Sequence, residues 1–109
     1  MIHVIFDRNK DGSIHTFTME GHAESGPHGQ DLVCAGASAV SFGALNAIHE
    51  ICDIRLHVDV RGEGGFLRCR VPNNLDSSTY EKVQLLLEGL FISLKTIEEQ
   101  YGEFIRIKS

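Results

Sequence analysis

The sequence has no tryptophan, two prolines and only 7% aromatic residues among its 109 positions. With 42% apolar and 23% charged residues it still has the composition of a packed globular chain, which excludes a disordered or fibrous protein. One domain over residues 1–109 is expected. A chain of this length buries about two-thirds of the surface its unfolded form exposes, so pairing with a second copy would add to a modest core. Basic charge is also scarce. Ten Lys plus Arg stand against fifteen Asp plus Glu, a net charge of −5, and no basic run offsets it, which argues against direct binding of nucleic acid. No apolar run is read as approaching the roughly 20 residues that span a bilayer, and Asp7, Arg8, Lys10 and Asp11 interrupt the start before a signal-peptide core could form. The expectation is a cytoplasmic protein with no membrane contact. Three cysteines, an odd number, argue against a disulfide framework and for reduced thiols, and the lack of any Cys-x-x-Cys pair weakens a redox role.

What is present is patterned. Residues 2–6 and 14–20 are rich in β-branched and aromatic types around the turn sequence Asn9-Lys10-Asp11-Gly12, which predicts a hairpin. From Leu32 to Cys52 the apolar positions Val33, Ala37, Val40, Ala44, Ile48 and Ile51 recur at steps of three and four, so a helix is expected with Asp31 as its N-cap. Ile54, Leu56, Val58 and Val60 alternate with Arg55, His57, Asp59 and Arg61, the pattern of a strand with one wet face. Gly62 to Gly65 then turn the chain into a partner strand, Phe66 to Val71. Asp76-Ser77-Ser78-Thr79 precedes a second helix, with Ser78 and Glu81 at capping-box spacing and a stripe of Tyr80, Val83, Leu87, Leu90, Leu94, Ile97 and Tyr101. Gly102 ends it, and Glu103 to Lys108 form a last strand. The order ββαββαβ implies an α+β two-layer sandwich, a mainly antiparallel sheet with two helices on one face. Leu85, Leu86, Phe91 and Ile92 widen the second helix's apolar stripe beyond the needs of one sheet face, which suggests a homodimer contact.

The chemistry concentrates between Gly21 and Ser38, where a strand end passes through a Gly/Pro-rich loop into a helix. If Asp31 is the cap, Cys34 lies in the first helical turn, where unpartnered N–H groups and the helix dipole favour a thiolate. His22, at the strand end, can reach the same place. A Cys nucleophile, a His base and backbone N–H donors for an oxyanion, here Ala35 and Gly36 in the first turn, are the minimum parts of acyl transfer. The bland alternative is a Cys34 packed as a small apolar residue. Asp31 could cap the helix, orient His22 or touch substrate; Ser38, one turn after Cys34, could hydrogen-bond near the thiol or simply pack. His22, His28, Asp31 and Cys34 match no standard zinc spacing, so neither a metal nor another cofactor is expected. Cys52 and Cys69 read as core; His3, His15, His49 and His57 read as surface or pairing residues.

The motifs Gly21-His22-Ala23, Gly29, Asp31 and Val33-Cys34-Ala35-Gly36-Ala37-Ser38-Ala39, with Leu94-Lys95-Thr96-Ile97-Glu98-Glu99-Gln100-Tyr101 in the late helix, resemble the ribosomal-processing cysteine protease family, Prp. The resemblance covers nearly the whole chain. It implies an endopeptidase that removes an N-terminal extension from large-subunit ribosomal protein twenty-seven. The family's catalytic Cys and His fall on Cys34 and His22, and its supporting acidic and hydroxyl residues on Asp31 and Ser38. It also implies a substrate with aromatic residues before the cut, over which Gly26, Pro27, His28 and Gly29 would fold as a lid. The competing class is a ribosome-associated binding module without catalysis.

Overall fold

The computed structural model describes residues 1–23, 26, 31–62 and 64–109. Its elements follow the expected order: β1 (Ile2–Arg8), β2 (Ile14–Glu20), α1 (Leu32–Cys52), β3 (His57–Val60), β4 (Phe66–Arg70), α2 (Ser77–Tyr101) and β5 (Ile105–Lys108). The strands form one sheet in the order β3-β4-β2-β1-β5. The β1–β2, β2–β4 and β3–β4 pairings are antiparallel; β5 returns after α2 to lie parallel to β1, so the sheet is mixed. Ile2, Val4, Phe6, Ile14, Phe17, Leu67, Cys69 and Ile105 form the sheet's share of the core, joined by Val33, Ala37, Leu45 and Ile48 of α1 and Val83, Leu87, Leu90 and Leu94 of α2. The β1–β2 register skips from Asp7↔Thr16 to Arg8↔Ile14, and this bulge is what turns both Ile14 and Phe17 into the core.

Several expectations change in detail. Asp76, not Ser78, caps α2: its carboxylate accepts the Thr79 N–H at 2.7 Å, and a helix starting at Ser77 leaves Ser78 inside its first turn. The buried stripe of α1 runs through Ser41 and Leu45, whereas Ile51 is exposed in the last turn. β3 is shorter than the alternation suggested and exposed on both faces, because it is an edge strand paired only with β4; Leu56, just before it, is the buried residue. The surplus on α2 is smaller too. Phe91 meets the ring of Phe6 edge-on at 5.3 Å and Leu86 packs against the core, which leaves Leu85 and Ile92 exposed. Finally, α1 at 21 residues is by length and composition apolar enough to cross a membrane, contrary to the reading that no segment is. Its many small apolar residues produce that profile, and here one stripe of the helix lies buried in the fold.

Polar contacts fix how α2 sits on the sheet. The Gln84 side chain both accepts from the Ile14 N–H and donates to the Ile14 carbonyl, at 2.8 and 2.7 Å. The Arg8 guanidinium forks onto both oxygens of Glu88 and holds that carboxyl below its usual range. These bonds leave the opposite end of β1 and β2, near Met1 and Gly21, to carry the site.

Candidate active site

Three chain segments meet at that end of the sheet. β2 stops at Glu20, and Gly21, at φ 97°, turns the chain in a conformation that L side chains rarely adopt. The Gly21 N–H donates to the Gly65 carbonyl at 2.8 Å, and the Met1 nitrogen donates to the His22 carbonyl at 2.6 Å. The backbone before and at His22 is thus held on one side by the start of β4 and on the other by the start of β1.

The start of α1 supplies the thiol. Asp31 caps it as expected: its Oδ1 accepts the Cys34 N–H at 3.0 Å and its carbonyl accepts the Ala35 N–H at 3.0 Å. Cys34 is half-buried, and its Sγ receives the N–H of Ala23 at 3.1 Å. The residue after His22 therefore touches the sulfur directly. An N–H aimed at sulfur stabilises negative charge there, as does the N-terminal end of the helix.

His22, Cys34 and Ser38 line one cavity of about 360 Å³, whose walls include the apolar side chains of Met19, Phe42 and Phe66. Arg61 also lines it, its guanidinium 4.3 Å from the centre of the Phe66 ring. The sequence-based site is in this sense brought together: the two reactive residue types and Ser38 share one cavity, and Asp31 sets the helix start behind them. Ala35 and Gly36 do not line it. The Ala35 amide is already used in the first hydrogen bond of the helix, which is why it is not turned toward the cavity. Gly26 is exposed, while the rest of the expected lid, Pro27, His28 and Gly29, lies outside the described residues. Among the described residues no group of three His, Cys, Asp or Glu side chains is arranged to hold a metal ion.

The other two thiols and the other described imidazoles lie elsewhere. Cys69 is buried in β4, and burial pushes its thiol up to about 12, so it stays protonated and unreactive at neutral pH. Cys52 is half-buried at the end of α1, and the His49 ring accepts the Leu56 N–H at 3.5 Å just beyond that helix. Sequence reasoning missed Phe42, Phe66 and Arg61. Phe42 had a signal, since Cys34, Ser38 and Phe42 follow one another at i, i+4 and i+8 on one helix face. Phe66 and Arg61 had none, because their place depends on the register that sets Glu20 opposite Phe66.

The family model for cysteine protease Prp matches residues 1–106. The chain belongs to the Prp family. It is 42% identical over 107 residues to the ribosomal processing cysteine protease Prp of Bacillus subtilis strain 168, an alignment covering 98% of this chain and 96% of that one. Identity to the Prp of Staphylococcus aureus strain Mu50 is 40%, over 98% and 97% of the two chains. The fold agrees. A crystal structure of the essential ribosomal processing protease Prp from S. aureus, in complex with a covalently linked product peptide, superposes with a TM-score of 0.90 at 39% identity, covering 99% of this chain and 98% of that one. The same protease in complex with a substrate peptide gives 0.85 at 37% identity over the full length of both chains. The chain is accordingly a cysteine protease, similar along its whole length to proteases of ribosomal processing.

Proposed function

We propose that Cys34 and His22 form the catalytic dyad and that its substrate is an N-terminal extension of large-subunit ribosomal protein twenty-seven, removed by endoproteolysis. The observation that carries this reading is the placement of Cys34 Sγ beside the His22 segment, in the N-terminal turn of α1 and on the wall of an apolar cavity. His22 takes the thiol proton and the thiolate attacks the scissile carbonyl, giving a tetrahedral oxyanion. The Ala23 N–H donates to the sulfur, and we assign it the oxyanion contact in place of Ala35 and Gly36. His22 then protonates the leaving amine, and a water molecule, deprotonated by His22, hydrolyses the thioester and restores the thiol. Ser38 lies where its hydroxyl can meet the substrate backbone, and Asp31 acts through the cap. The relatives' names and the product peptide covalently linked in the S. aureus structure support the assignment.

The cavity's aromatic and thioether walls suit a substrate with aromatic residues before the cut. We place the reaction in the cytoplasm, where such a substrate is made, and assign a second copy of the chain to the exposed Leu85 and Ile92 stripe; light scattering that finds only monomer at micromolar concentration removes that partner. The test of function is a peptide carrying the aromatic extension, incubated with the protein and read by mass. Cleavage that disappears in Cys34→Ala is expected, together with an acyl-enzyme mass that hydroxylamine removes. Binding without cleavage would instead make this chain a docking module.

A further inference from the structure

The site contains one more fixed element, and it comes from the far hairpin. Gly65 directly precedes β4 at φ 75°, and its carbonyl accepts the N–H of Gly21, the residue before His22. Its Cα also faces the His22 ring. A methyl group there would stand 2.8 Å from Nε2, 3.2 Å from Cε1 and 3.4 Å from Cδ2. No side chain fits between the turn and the imidazole as they stand. The neighbouring Gly64 has almost the same backbone angle, φ 78°, yet a methyl on it would meet nothing within 4 Å.

We infer that Gly65 is a positioning residue for the His22 imidazole: by lacking a side chain it lets the β3–β4 turn hold the Nε2 edge of the ring at the cavity wall, in reach of the reacting groups. The group that must yield to a larger residue is a ring on two rotatable bonds rather than packed backbone, so it swings while the fold stands. General-base catalysis depends on placement within hydrogen-bond reach, and a displacement of about 1 Å can cost roughly a hundredfold in rate. The inference rests on the dyad proposed above.

The two glycines provide their own control. Gly64→Ala and Gly65→Ala place alanine at nearly the same positive φ, but only the second adds an atom against His22. Both should lower the melting temperature, Gly65→Ala by at least as much as Gly64→Ala. Gly65→Ala should in addition lower kcat by roughly ten- to a hundredfold with KM little changed, and should move the NMR resonance of the His22 Cε1 proton. Gly64→Ala should leave that resonance in place, although Gly64 itself lines the cavity; Gly12→Ala, at φ 91° in the β1–β2 turn and outside the cavity, should leave both the resonance and kcat unchanged. Because asparagine tolerates positive φ better than alanine, Gly64→Asn and Gly65→Asn repeat the comparison should either alanine variant not fold. Equal kcat and an unmoved His22 resonance in the Gly65 and Gly64 variants would overturn the inference. The resonance reports ring position whether or not His22 is the base, so a His22→Ala protein that still cuts peptide removes the dyad alone.

Discussion

The two helices of this protein begin in the same way and do different things. In α1, Asp31 accepts the N–H of the residue three positions on, Cys34, at 3.0 Å; in α2, Asp76 accepts the N–H of Thr79 at 2.7 Å. Each start has an extended cap residue and carries no acidic side chain in its first turn. Both therefore present the same partial positive charge and the same orphan amides. They differ in what lies opposite. The start of α1 faces the end of β2, so that Ala23 donates to the Cys34 sulfur and His22 shares its cavity. The Asp76 cap is exposed, with exposed Ser77 and Ser78 after it. A capped helix start is common; what sets this one apart is a thiol with an N–H donor against its sulfur and an imidazole lining the same cavity.

The largest effect should come from exchanging the equivalent residues. Cys34→Ala and His22→Ala should each reduce cleavage of the extended peptide by roughly a thousandfold or more, with melting temperatures within a few degrees of the parent. Thr79→Ala, at the same distance from its cap, should leave cleavage unchanged. A Thr79 variant as impaired as Cys34→Ala would mean that helix integrity, not the thiol, is being measured.

A thiol away from any helix start sharpens the comparison. Cys69→Ala removes a buried sulfur from β4 and should cost about 1–2 kcal/mol of stability, with kcat per folded molecule intact. In the folded protein at pH 8 iodoacetamide should label Cys34 and spare Cys69, whose burial both blocks access and keeps the thiol protonated. Labelling of Cys69 at the rate of Cys34 would place it outside the core.

A smaller contrast is expected between the caps. Asp31→Ala should cost about 1 kcal/mol of stability through the lost bond to the Cys34 N–H, and should also slow cleavage several-fold because that bond sets where the first turn holds the sulfur. Asp76→Ala should shift the melting temperature and leave kcat alone. If Asp31→Asn, which can still cap, restores both stability and rate, Asp31 acts through the cap; restored stability with a persistently low rate would assign its charge a further part in the reaction.

Local chemistry makes most of this legible in the sequence. The turn sequence through Asp11-Gly12, the stripe of α2 and the Asp31–Cys34 spacing each involve residues close in sequence, and each appears in the structure as read. Most of the readings that change depend on partners distant in sequence; the cap of α2 is the local exception. Capping-box spacing to Glu81 singles out Ser78, but Asp76 offers a carboxylate two residues earlier and the helix begins right after it, at Ser77. Phe91 could not be distinguished from the exposed Leu85 and Ile92 until β1 supplied Phe6 against it. Gly65 was read as part of a turn, and only the β2–β4 pairing shows that the turn backs His22.

The smallest expected effect isolates the charge on the second cap. The Asp76 carboxyl is held below its usual range, first by the Thr79 backbone N–H and then by the Thr79 hydroxyl, with a lesser part from Lys82. A carboxyl with a lower pKa in the folded than in the unfolded protein stabilises the fold above its unfolded value, about 3.9, and that contribution is lost as pH falls through the folded value. The loss should therefore appear below about pH 4. Asparagine caps a helix about as well as aspartate and does not titrate, so Asp76→Asn keeps the bond to Thr79 and removes the pH dependence. Melting curves from pH 6 to pH 2.5 should fall less steeply for Asp76→Asn than for the parent, by a small margin because the group is fully exposed to water, and cleavage at pH 7 should be the same in both. Added salt should change the difference little, since hydrogen bonds rather than a distant charge set the shift. Parallel curves for the two proteins would mean that the neutral hydrogen bond, not the carboxylate charge, supplies what this cap contributes, and the two helix starts would then differ only in what faces them.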